Sequence, residues 1–157
     1  GDCFLDYSTW KWGNMHKRTS GQPVYRYRYC HPRPDMLLKD KVAGLAGGVQ
    51  DKTDDTPAAP RATGAVHSAD IEYAMGTLPT NRVFDWQPED YVVSDIFSNY
   101  YVNFVKTGNP NGLGLVDWPT TNGKSVAPVL QIDVNTFVKE DPNMEKRYEL
   151  MDKLFWK

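Results

Sequence analysis

The sequence predicts an α/β fold, on three observations. Residues 24–29, "VYRYRY", alternate in the manner of a strand. Residues 88–107 repeat their apolar side chains at helical spacing. Helix-like and strand-like segments are interleaved along the chain instead of falling into separate blocks. The expected order is helix, strand, long loop, histidine, helix, strand, helix, with too few strands for a complete sheet.

The first helix is expected over 2–15. Asp2 can cap it, because a carboxylate accepts from the free N–H groups of a first turn. Phe4, Tyr7 and Trp10 give it a partial apolar stripe, Gly13 and Asn14 weaken its end, and Gln22-Pro23 break the chain. In the strand that follows, Tyr25, Tyr27 and Tyr29 share one face; Val24, Arg26 and Arg28 share the other. Arginine stems packed over neighbouring rings explain this pattern better than an RNA-binding sheet does. Over 32–61 the composition shifts to Pro, Gly, Ala, Asp, Lys and Thr. There "LLKDKVAGLAGG" predicts a short helix and "QDKTDDTPAAPRATG" an exposed loop, whose Asp51, Asp54 and Asp55 lack calcium-loop spacing.

The strongest helix runs over 88–107. Pro88, Glu89 and Asp90 suit its first turn and the positive end of its dipole. Val93, Ile96, Phe97, Tyr100 and Phe104 form its stripe, and Gly108 and Pro110 end it. Asn122-Gly123 predicts a hairpin turn and 129–134 a strand. A last amphipathic helix from Pro142 places Met144, Tyr148, Met151 and Phe155 on one side. Trp86 and Trp118 are expected as loop and core anchors, His16 as a helix-end cation and His31 as a loop residue.

Composition bounds the function. The chain has 157 residues, 40% hydrophobic and 13% aromatic, enough for one domain with a real core, and no compositional break divides it. A net charge of −2 argues against a nucleic-acid or anionic-membrane partner. No apolar run approaches the roughly 20 residues of a membrane span. Cys3 and Cys30 make no disulfide framework, and a reduced pair and a single bridge both stand. Cys30-His31 has no second pair at zinc spacing, so no metal is expected. Gly123-Lys124-Ser125 resembles the end of a phosphate-binding loop, but Trp118 stands where that loop needs its first glycine. No cofactor is expected.

The chain contains fragments of serine-enzyme motifs. Ser8-Thr9-Trp10-Lys11 and Lys106-Thr107-Gly108 match two β-lactamase signatures. The third would be Ser94-Asp95-Ile96, with Ile where Asn is required, and Lys106-Thr107-Gly108 falls at a helix end. His67, in "GAVHSADIEY", is the better candidate. It sits where a loop of small residues meets a helix-like run, a place from which one ring nitrogen can face a nucleophile and the other a carboxylate. A lone histidine is also an ordinary surface or core residue, and the residues around His67 do not decide between these readings.

An ordered series of segments does. "PVYRYRY", "GAVHSADIEYAMG", "NYYVNFVKTGNPN", "DWP", "LQIDVNT" and "LFWK" stand in the order and spacing of one family. The chain resembles the C-terminal part of the type B carboxylesterases, which include cholinesterases and para-nitrobenzyl esterases. The match covers nearly every part of the chain except the loop at 32–61.

That resemblance implies that residues 1–157 are the C-terminal segment of a single α/β-hydrolase domain whose N-terminal part is missing. It implies a serine esterase with His67 as the triad base. No serine here has the flanks of Gly-x-Ser-x-Gly, so the nucleophile, the acid and the oxyanion segment are expected upstream of Gly1. The chain begins with Gly1, as a processed, cleaved or engineered start would. Asp70 falls where relatives place Glu near the triad, and is either such a neighbour or a helix-start cap. Glu72 is of the right type to orient His67 but too close in sequence. Thr63 and Ala69 flank positions that line the pocket in relatives. The expected partners are a small-molecule ester and the N-terminal part of the same protein. The segment alone is expected to be inactive, and stable only against that part or a second copy of itself. Family analogy points to a secreted or periplasmic protein. The rival reading is a non-catalytic, cholinesterase-like adhesion module.

Overall fold

The computed structural model describes residues 5–43, 48–53 and 63–155. Asp2, Cys3 and Phe4, and Asp54 and Asp55 of the polar loop, lie outside them. The elements are α1 (Tyr7–Ser20), β1 (Tyr27–Tyr29), β2 (Lys41–Ala43), β3 (Val49–Asp51), α2 (Ile71–Ala74), a 3₁₀ turn (Leu78–Thr80), α3 (Pro88–Thr107), β4 (Pro128–Ile132), β5 (Phe137–Glu140) and α4 (Pro142–Phe155). One sheet has the order β1-β4-β5, and β2 and β3 form a separate pair. Two units divide the chain: Gly1–Arg28, Asp117–Leu130 and Phe137–Lys157 make the first, and Tyr29–Val116 and Gln131–Thr136 the second.

In the first unit, aromatic side chains hold α1 to α4. Tyr7, Trp10 and Tyr148 are buried, with Met144 and Met151 packed against them. The Tyr7 and Trp10 rings stack at 5.9 Å, and Phe155 meets Tyr7 edge-on at 5.7 Å. The polar tips reach the rim, as amphipathic rings do. Tyr7 Oη donates to Asp152 Oδ1 at 2.7 Å, Trp10 Nε1 to Glu145 Oε1 at 2.6 Å, and Lys11 Nζ pairs with Asp152.

Helix α1 runs five residues further than the sequence suggested. Gly13 is accommodated inside it, and the stop is Gly21, whose φ of 68° lets its N–H return to Lys17 O. Trp118 is buried and donates 2.9 Å to Arg26 O. The Asn122-Gly123 turn forms, with Gly123 at φ 72°, but it joins no pair of strands. Asn122 instead accepts from Val24 N and donates to Gln22 O, so its side chain ties the turn to the strand entry.

In the second unit, α3 has the boundaries its sequence predicts. Its buried face is Asp90, Val93, Ser94, Phe97 and Tyr100, whereas Phe104 is 48% exposed and leaves the stripe. The chain turn after α3 is tightly specified. Gly108 adopts φ 75° and donates to Phe104 O at 2.7 Å. Asn109 N donates to Thr107 Oγ1, Asn103 Nδ2 to Pro110 O, and Asn111 N to Asn109 Oδ1. A Cβ on Gly112 would stand 2.5 Å from Asn103 Nδ2.

The described residues of "LLKDKVAGLAGG", 37–43 and Gly48, do not form the expected helix. Lys41–Ala43 pairs antiparallel with Val49–Asp51, placing Lys41 opposite Asp51, and these two side chains form an ion pair. Leu37, Leu38 and Val49 are exposed, so no apolar face here rewards a helix. β5, which no sequence pattern suggested, is a short strand with three of its four residues exposed. No described helix is long and apolar enough to cross a membrane.

Candidate active-site loop

His67 occupies the tip of a tight turn. Ala69 N donates to Val66 O at 3.1 Å, and Ser68, the third residue of the turn, has φ 62°. It is the one non-glycine residue with positive φ among those described. Positive φ at that position alone is the habit of a type II turn, where glycine is preferred. A serine held there costs about 1–3 kcal/mol unless surrounding contacts fix it. His67 is exposed, as are Thr63 and Val66, while Ala69 is fully buried.

The turn leads into α2 through Asp70. This residue stands at the N-cap, but with helical φ −82° and ψ −16° its carboxylate makes no capping hydrogen bond. The capping role open to it in sequence is therefore not taken, because a side chain caps from an extended backbone.

Arg33 closes over this turn from the opposite side of the loop. Its Nη2 donates to Ser68 O at 3.1 Å and to Glu72 Oε2 at 2.8 Å. Glu72 accepts in turn from Asn81 Nδ2 at 3.1 Å. The guanidinium lies 4.7 Å over the Phe84 ring, a cation–π contact. Glu72 thus spends its carboxylate on Arg33 and Asn81.

A second polar network joins His31 to two carboxylates, one buried and one partly exposed. His31 Nδ1 is 2.9 Å from Asp133 Oδ1, and His31 Nε2 is 3.0 Å from Asp90 Oδ1. An imidazole donates to both carboxylates only with both nitrogens protonated. Asp90 is 2% exposed and also accepts from Tyr73 Oη at 2.5 Å and from Gln87 N at 2.7 Å, the latter closing the capping box of α3. Burial, and then the hydrogen bond to Asp90, push the Tyr73 phenol far above its ordinary range. Burial does the same to Tyr29, followed by the charge of Tyr73. The Tyr29 and Tyr73 rings pack with centroids 5.3 Å apart, and their phenols interact.

The sequence reading missed Arg33, placed His31 in an ordinary loop and gave Asp90 only a dipole role. Arg33 and His31 lie in a proline-rich stretch with no periodicity to mark them. Among the described residues no group of His, Cys, Asp and Glu is arranged to hold a metal ion.

The fold is part of an α/β-hydrolase. The chain is similar to a solved structure of a PNB esterase, with a TM-score of 0.55 and 22% identity over 82% of this chain and 22% of that one. Residues 1–156 match the model of the Carboxylesterase family, and the chain belongs to that family. It is 30% identical to Carboxylesterase 4A of Bos taurus over 137 residues, 87% of this chain and 20% of the relative. It is 31% identical to Carboxylesterase 5A of Canis lupus familiaris, over 78% of this chain and 18% of the relative. The chain therefore spans about a fifth of the length of these curated relatives.

Proposed function

We propose that this chain is the C-terminal part of a serine carboxylesterase and supplies the base of its catalytic triad, His67. The observation that carries the reading is the coincidence of the family match over 1–156 with a histidine raised on a tight turn and exposed. In the full-length protein an upstream serine attacks the ester carbonyl while His67 takes its proton. His67 then protonates the departing alcohol, and afterwards activates the water that releases the acid. Such proton transfer contributes roughly 10²–10⁴ in rate. Asp70 lies three residues beyond the base and acts beside the triad without touching substrate. Thr63 belongs to the pocket rim, and Ala69 fixes the loop from beneath.

The N-terminal part of the same protein is the required partner, since the nucleophile, the acid and the oxyanion donors come from it. The apolar side chains Val66, Ile71 and Met75 around the loop are exposed, which supports a covering by that part. The test uses the full-length protein, a fluorophosphonate probe and mass spectrometry of the labelled peptide. Label on a serine N-terminal to Gly1, lost in a His67→Ala variant, is the expected result. An intact, folded protein that takes no label would identify the chain as part of a non-catalytic relative.

A further inference from the structure

We infer that Arg33 is the positioning residue of the His67 turn, acting on the backbone carbonyl of Ser68. This inference rests on the reading of His67 as the base. Three observations converge on it. Ser68 is held at φ 62° with a side chain, so the turn needs an outside restraint to stay in register. Arg33 Nη2 supplies one, donating to Ser68 O, the carbonyl that immediately follows His67 in the chain. Arg33 is itself fixed, by Glu72 at 2.8 Å and by the Phe84 ring, with Glu72 anchored by Asn81.

The guanidinium side chain is 11% exposed, so its hydrogen bond to the turn is shielded from competing water. Both hydrogen bonds leave from the single Nη2, and the flat guanidinium is held in place by the Phe84 ring beneath it; a lysine ammonium can donate to two acceptors but lacks that stacking surface. Losing the bond frees the turn to relax toward negative φ at Ser68, which swings the imidazole away from its working position. A misplacement of about 1 Å at a catalytic group lowers turnover by up to about 10²-fold.

The experiment compares full-length wild type with Arg33→Ala, and with Arg33→Lys as the gentler change. Two readouts are taken: steady-state ester hydrolysis, and amide hydrogen exchange over 66–70 against the centre of α3. The expected result for Arg33→Ala is a fall in kcat of ten- to a hundredfold with KM little changed, faster exchange confined to 66–70, and recovery of both on adding guanidinium ion. Arg33→Lys should give a smaller loss of the same kind. Wild-type kcat and wild-type exchange in both variants would overturn the inference. So would exchange that rises equally in the turn and in α3 in the lysine variant, since that describes a general structural residue. If the wild-type protein hydrolyses no ester, the reading of His67 fails, and the exchange of the turn still decides whether Arg33 restrains it.

Discussion

The two units of the molecule place their carboxylates at different depths. The first fills its helix pair with aromatic rings and methionines; Asp152 meets Tyr7 and Lys11 at a partly exposed rim, and Glu145 sits further in, against Trp10 and Arg26. The second is organised around a carboxylate almost wholly withdrawn from solvent. Asp90 is buried at the start of α3 and receives His31, Tyr73 and the Gln87 backbone. Rim pairs are adjustable and solvated; a buried carboxylate with three donors has one arrangement only. The unit that carries His67 is the one that holds the more deeply buried carboxylate.

Removing that charge should produce the largest effect. Asp90→Ala leaves His31 Nε2, Tyr73 Oη and Gln87 N without their acceptor. Breaking a buried pair from one side costs about 3–5 kcal/mol. The expected outcome is a loss of that size in denaturant unfolding of the full-length protein. A loss under about 1 kcal/mol, the range of an exposed pair, would erase the contrast between the units.

The contrast also explains what the sequence made legible. Helix α3 was read to the residue, because Pro88, the Val93–Phe97–Tyr100 spacing and Gly108 are all local signals. The network at its start was not, because His31 is 59 residues from Asp90 and 102 from Asp133, and no periodicity links them. His67 stands out in sequence through its small neighbours and an ordered set of family segments, and its role is the proposal made above. Its turn geometry was hidden, since Ser68 is an unexpected residue for positive φ. Strand β2 was mistaken for part of a helix because leucines drew attention to a stretch whose described leucines, Leu37 and Leu38, are exposed. In α1 the visible breakers, Gly13 and Asn14, were outweighed by packing of Tyr7 and Trp10, and the helix ran on to Gly21.

A pH experiment sharpens the comparison from the alkaline side. The Tyr29 and Tyr73 phenols are raised, so the stability they lend is complete below the ordinary phenol value of about 10 and is lost as pH rises through their higher folded values. Tyr29→Phe removes one such proton together with a buried hydroxyl that interacts with the Tyr73 phenol. Its stability at pH 7 should change by no more than about 1.5 kcal/mol, the net worth of one neutral hydrogen bond. Its alkaline unfolding midpoint should move up. An unmoved midpoint would mean that these phenols do not set the alkaline limit.

The smallest effect is expected in the first unit. The hydrogen bond from Lys11, and then that from Tyr7, hold the Asp152 carboxyl below its ordinary value. Its contribution is therefore present above the unfolded carboxylate value of about 3.9 and fades as pH falls through the lower folded value. Asp152→Asn should leave melting at pH 7 nearly unchanged and flatten the acid side of the stability curve. A large loss at pH 7 would show that the rim of this unit is as demanding as the interior of the other.

The turn that follows α3 carries a different consequence. Asn103 and the positions from Thr107 to Gly112 are held by separate atomic constraints: a left-handed backbone at Gly108, side-chain braces from Thr107, Asn109 and Asn103, and no room for a methyl group at Gly112. Such a passage admits few substitutions without a change of path. Its residues are dictated by the reversal of the backbone itself, so "TGNPNG" reports how the chain turns and carries no word about chemistry.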